Sequence, residues 1–251
     1  RLFAERTNRH DYTIQHGMAI TRTFDSTTRT MLQVSRERTL PPVSLESYSI
    51  VDWMSGEESS SQETIPIGAR QVALSTAEQR LLAGFMRRGG SLFISGSEIG
   101  LDLVERGKGP RFYEELLKAT YLGSNAFKRN WGIYPNLVIP TPGGLFDGLD
   151  VFRFDDGSHG TYDADRVDYF LPLPEDSRSE SALLYQAGIG HAGLTWDSGG
   201  CSRLVYLAFP FETIYPAEVR QEVMSRALDF LDNCGTPQWT YLPLLPRHRQ
   251  R

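Results

Sequence analysis

Several side chains in this sequence are of the types that move protons, attack carbonyls or hold cations, and most of them fall just after apolar runs. Glu98 sits in Gly96-Ser97-Glu98-Ile99-Gly100, directly after the apolar run SLFIS. Glu212 follows the run RLVYLAFPF, and Glu57 and Glu58 follow YSIVDWM. If those runs are strands, all four acids lie in strand-end loops, where open α/β sheets bind their ligands. Two carboxylates brought together can divide the roles of general acid and general base, because like charges push one of the two pKa values up. Glu98 and Glu212 are the candidate pair, with Glu57 and Glu58 as ligand-binding neighbours.

Ser97 adjoins a glycine-flanked turn of the kind that exposes a nucleophile, and the competing expectation is that its hydroxyl caps the helix that follows. A second acidic stretch, FRFDDGSHGTYDADRVDYF, carries Asp155, Asp156, Asp163, Asp165 and Asp168 with glycines between them. Oxygen ligands on a pliable loop suit calcium, so Asp155, Asp156, Asp163 and Asp165 form the candidate metal set. The regular D-x-D-x-D-G order is missing, and aspartates also build turns unaided. No other cofactor is expected. The histidines His10, His16, His159 and His191 show no ligand spacing. Trp131 and Trp196, with Tyr162, are the aromatic candidates for stacking on a sugar ring.

The elements that would position these residues are read from period and punctuation. Tyr12, His16 and Ala19 have helical spacing, which predicts a helix over 8–22 with Asn8 as its cap. Tyr48–Met54 reads as a strand. Ser75 and Glu78 form a capping box for a helix ending at Gly89, and SLFIS is the strand after it. EIGLDLVE and PRFYEELLKATYL read as two helices. Between about 124 and 200, glycine, proline, aspartate and aromatics dominate, with short β-like pieces. CSRLVYLAFPFETI returns to a strand, and PAEVRQEVMSRALDFLDNCG is a closing helix. Strands alternating with helices predict an α/β domain over 1–235, with a mainly parallel, flavodoxin-like sheet flanked by helices and a β-rich insertion or extension of the sheet at 124–200. Residues 236–251 read as a tail or linker.

The 251 residues carry a net charge of −5, which argues against nucleic acid and anionic membranes as partners. No apolar run is long enough to span a bilayer. The chain opens on Arg1 and not Met, which suggests a processed or truncated polypeptide. Its two cysteines, Cys201 and Cys234, allow one long-range disulfide or two buried thiols.

The frame Gly96-Ser97-Glu98-Ile99-Gly100 resembles the G-x-C-x-G elbow of class I glutamine amidotransferase-like domains in their broad, ThuA-like sense, with Glu98 at the cysteine position. The late segment AFPFETI is similar to that family's Q-F-H-P-E: Phe209 and Glu212 match, whereas Pro210 replaces the histidine. Together with NRHDYTIQHGMAI, FDSTTRTML and YSIVDWMSGEES, these segments look like the amidotransferase-like module of large exported bacterial proteins, xanthan-lyase-like or related to N-acetylmuramoyl-alanine amidases. The resemblance implies an extracytoplasmic chain working beside polysaccharide or cell-wall chemistry. With cysteine and histidine both replaced, it implies a catalytically degenerate module whose role is structural, ligand-binding or interaction with a protein partner or neighbouring domains, and not a glutaminase. The alternative expectation is a hydrolase of polysaccharide or cell-wall material that works through its carboxylates.

Overall fold

The computed structural model describes the backbone alone of residues 2–3, 13–16, 20–25 and 30–33, and residues 45, 48–56, 73–124, 136–164, 166–186 and 188–232 with their side chains. The first four strands are β1 (Leu2–Phe3), β2 (Thr13–His16), β3 (Ile20–Asp25) and β4 (Thr30–Gln33). They are followed by β5 (Ile50–Gly56), helix α1 (Thr76–Arg87) and β6 (Ser91–Gly96). A π-helical turn (Leu101–Glu105), α2 (Pro110–Glu115) and β7 (Ala119–Ser124) come next. Then run β8 (Leu137–Pro140), β9 (Phe152–Phe154), β10 (Asp168–Pro172), β11 (Ser179–Tyr185), β12 (His191–Asp197) and β13 (Arg203–Leu207). A 3₁₀ turn (Phe211–Thr213), β14 (Ile214–Tyr215) and α3 (Ala217–Asp232) close the described chain.

All fourteen strands belong to one sheet, whose main path runs β14-β9-β8-β11-β12-β13-β6-β5-β1-β2-β3-β4. Among the described strands, only β5–β6 and β6–β13 pair in parallel. The remaining pairs are antiparallel, so the sheet is mixed and mostly antiparallel, and the expected mainly parallel, flavodoxin-like sheet is overturned. The reason lies in the connections. β11 and β12 are joined by a short turn with left-handed glycines at Gly188 and Gly190, and a connection that short can only reverse the strand. β12 then pairs with β13, so of the two expectations for 124–200 the stretch is an extension of the sheet and not a separate insertion.

The helix expected at 8–22 is also overturned, since Thr13–His16 and Ile20–Asp25 are antiparallel strands with Thr13 opposite Thr23 and His16 opposite Ile20. Thr13, Ile14, Ile20, Thr21 and Thr23 are β-branched, which disfavours helix and suits a pleated strand. That composition outweighs the spacing of Tyr12, His16 and Ala19. In the same way residues 119–122, read as the tail of a helix, lie in β7, paired with β10.

Strand alternation divides the core. Val51, Trp53, Leu92, Ile94, Leu204 and Tyr206 face one side, under α1 and α2. Ile50, Phe93, Val205 and Leu207 face the other, where α3 contributes Val223, Ala227 and Leu231. Helix α1 begins with the expected capping box: Glu78 N–H donates to Ser75 Oγ at 3.3 Å, and Ser75 N–H donates to Glu78 Oε2 at 2.7 Å. Replacing Ser75 by Ala should cost about 1 kcal/mol, measured as a shift in the urea midpoint with an unchanged slope.

Candidate functional site

β5 and β6 end side by side, and the residues just beyond them are tied together by hydrogen bonds. Gly56 closes β5 in the left-handed region at φ 59°, and its carbonyl accepts from Ser97 N–H at 3.0 Å and Ser97 Oγ at 3.2 Å. Ser97 is therefore neither the cap of the next helix nor an open nucleophile: it is 2% exposed and its hydroxyl is committed to Gly56.

Glu98 is buried beside it, with Oε1 3.9 Å from the Arg166 guanidinium. Its backbone is ordinary. Among the described residues Lys118 alone combines a side chain with a positive φ, so Glu98 lacks the strained geometry that thrusts a nucleophile out of an elbow.

The helical turn after Glu98 should offer free N–H groups to an anion. Here they are already taken, because Asp168, from the start of β10, accepts from Gly100 N–H and from Leu101 N–H, the latter at 3.3 Å. Asp168 N–H in turn donates to the Ser97 carbonyl at 2.8 Å. The carboxyl is completely buried, and burial pushes it well above the usual carboxylate range; the two N–H donors oppose that, while Glu98 and Glu105 add to it. Around it lie the buried tyrosines Tyr113, Tyr185 and Tyr206, with the Tyr185 hydroxyl donating to the Asp168 carbonyl at 2.9 Å.

Glu212 reaches this edge from the 3₁₀ turn. Its Oε1 accepts from the Tyr162 hydroxyl at 2.6 Å, and a Cβ added to Gly56 would lie 3.2 Å from that same oxygen. Its Oε2 is buried and meets no donor among the described residues. Glu98 and Glu212 thus each flank the Gly56–Ser97 contact, and each has its own holding group. Tyr162, expected as a stacking residue, is the one that holds Glu212.

The aspartate loop is arranged for its own backbone. Asp155 is buried, and its oxygens accept from His159 N–H at 2.9 Å, Thr161 N–H at 2.8 Å and Thr161 Oγ1 at 2.8 Å. Burial alone would raise its pKa, yet the donors from Thr161, His159 and Gly157 prevail and bring it to about 2. Asp156 accepts from the Ser158 hydroxyl and from Ser158 N–H at 3.2 Å, and Asp163 faces Asp156 through an isolated bridge. Asp155, Asp156 and His159 come close enough to share a cation, but the Asp155 oxygens already have partners. We expect chelators to leave the melting temperature unchanged. The folded pKa of Asp155 lies below its ordinary 3.8, so its stabilisation is complete above that value and is lost as pH falls through about 2. An Asp155→Asn variant should flatten the acid limb of a stability–pH curve.

Trp196 lies on β12, half-buried, at the opposite edge of the parallel strands. Its Nε1–H donates to Asp176 at 2.8 Å, and Lys118 Nζ stands 4.8 Å from the ring centroid. Asp176 also receives Arg178 at 2.9 and 3.1 Å, and these bonds hold its carboxyl well below the usual range against a smaller opposing effect of burial. Glu57, Glu58, Trp131, Asp165 and Cys234 lie outside the described residues. Cys201 is disulfide-bonded.

Sequence reasoning grouped Asp168 with the loop aspartates and passed over Lys118 and Asp176. A usable signal for Asp168 was its place inside the run VDYF, where an acid enclosed by apolar neighbours points to a buried, partnered carboxylate. No family model matches the sequence, and no curated protein shows significant similarity to it. No described helix is long and apolar enough to cross a membrane.

Proposed function

We propose that this chain is a catalytically silent, amidotransferase-like module of an exported protein, serving a binding or structural role. The observation that carries this reading is the filled elbow: the Asp168 carboxyl group occupies the N–H groups of Gly100 and Leu101 that an elbow would aim at a reacting oxyanion. The ordinary backbone of Glu98 and the committed hydroxyl of Ser97 support it. Three parallel strands, with the elbow after the middle one and Glu212 after the last, support descent from an amidotransferase-like frame. The disulfide at Cys201 supports an oxidising, extracytoplasmic setting.

The test is direct. Purified protein is assayed for glutamine hydrolysis and for release from chromogenic glycosides and peptidoglycan fragments, beside Glu98→Gln and Glu212→Gln variants. The expected result is no turnover above background for any of the three proteins. Hydrolysis by the parent that disappears in Glu98→Gln or Glu212→Gln would overturn the reading in favour of a carboxylate hydrolase.

A further inference from the structure

A cavity of about 340 Å³ opens at the amino ends of β6 and β13, away from the elbow, with Gly89 and Cys201 on its wall. Met86, Leu116 and the Trp196 indole make one part of that wall apolar, while Arg87, Glu115 and Lys118 supply its charge. Volumes of this size are at the lower end of those that hold small organic ligands.

Lys118 is the informative residue. Its φ is 58°, and every other left-handed position among the described residues is a glycine. A side chain in that region carries a steric cost that glycine avoids, so a lysine there calls for a reason. The backbone gives none that glycine could not meet: the Lys118 carbonyl accepts from Leu173 N–H and from Ser179 Oγ, both at 2.8 Å. The ion pair with Asp176 at 3.3 Å gives only part of one, because Arg178 already binds that carboxylate through two nitrogens. On the cavity wall itself Arg87 and Lys118 face Glu115, leaving one positive charge in excess on a chain whose net charge is −5. The indole is immobilised by its bond to Asp176 and by the cations over its ring, Lys118 at 4.8 Å and Arg178 at 5.2 Å.

We infer that this cavity binds a small monocarboxylate carried on an apolar body, with Lys118 pairing the carboxylate and Trp196, Met86 and Leu116 receiving the apolar part. The inference rests on reading the chain as a binding module and names its ligand class; the elbow residues take no part in it.

Phenylacetate, its neutral amide phenylacetamide and the cation phenethylamine are titrated into the full chain by calorimetry, with the Trp196 indole resonance followed by NMR. Phenylacetate should bind and shift that resonance, with the amide and the amine at least tenfold weaker. Lys118→Met, which keeps the aliphatic length, should weaken phenylacetate at least tenfold. Lys118→Gly should abolish phenylacetate binding while holding or raising the melting temperature, and it decides the matter if the methionine variant does not fold. Absence of phenylacetate binding, equal binding of the amide, or unchanged affinity in the folded Lys118 variants would overturn the inference. None of those outcomes bears on turnover at the elbow, so the two readings fail separately.

Discussion

Asp168→Ala should destabilise the protein by about 3 kcal/mol, the cost of leaving two backbone donors without an acceptor in a dry interior. Gly100 and Leu101 are both buried, so water cannot replace the carboxyl group that holds their N–H groups. Asp168→Asn separates shape from charge. The amide keeps one acceptor, and the loss should be nearer 1 kcal/mol. The pH dependence should differ as well. Burial raises the folded pKa of Asp168 above its unfolded value, so this residue's contribution is complete below the ordinary 3.8 and declines as pH rises through the higher folded value. Urea denaturation of the parent across that window should show this decline, and the Asn variant should lack it. Equal losses for Ala and Asn would count against the acceptor that the amide retains, and a slope retained in Asn would mean that another group titrates in this window.

Gly90→Ala is expected to cost about 3 kcal/mol, at the upper end of what inserting one methyl into a packed core does. Gly90 lies between α1 and β6, and an added Cβ would stand 2.3 Å from two carbons of the Phe85 ring. Phe85 is 2% exposed among Leu82, Leu92 and other core residues, so the ring has little room to retreat. Gly89→Ala, one residue earlier, makes no contact closer than 3.5 Å and suffers only from its left-handed φ of 92°. Thermal melts of the two variants should therefore rank Gly90→Ala well below Gly89→Ala. The reverse order would mean that backbone conformation, and not the Phe85 contact, governs this turn.

These two glycines also mark how far the sequence could be read. Gly89 was legible as a helix stop because a left-handed terminus is a local matter, and the Ser75–Glu78 cap was legible for the same reason. Gly90 was not, since its constraint is a ring on the preceding helix whose position only the packed structure fixes. The strands β5, β6 and β13 announced themselves as short apolar runs. Their surroundings did not, because pairing direction depends on connection length and on which edge is open, as β12 beside β13 demonstrates. At the candidate site Glu98, Ser97 and Glu212 were singled out by their place after strands. The groups that surround them, Arg166 beside Glu98, Tyr162 on Glu212 and Asp168 on the N–H groups of the next turn, come from a stretch that reads as turn-rich and solvated. A carboxylate exposed in a loop and one buried in a strand are the same letter.

The cap on the turn after Glu98 differs from the cap on α1 in one further respect. Ser75 and Glu78 are three residues apart, whereas Gly100 and Asp168 are separated by sixty-eight. Chain closure over the longer span costs about 3 kcal/mol more entropy, so the first cap can form in a fluctuating helix and the second only when β10 has docked. The turn after Glu98 is therefore capped by tertiary structure, and its order depends on the seat of β10 in the sheet, whereas α1 carries its own cap.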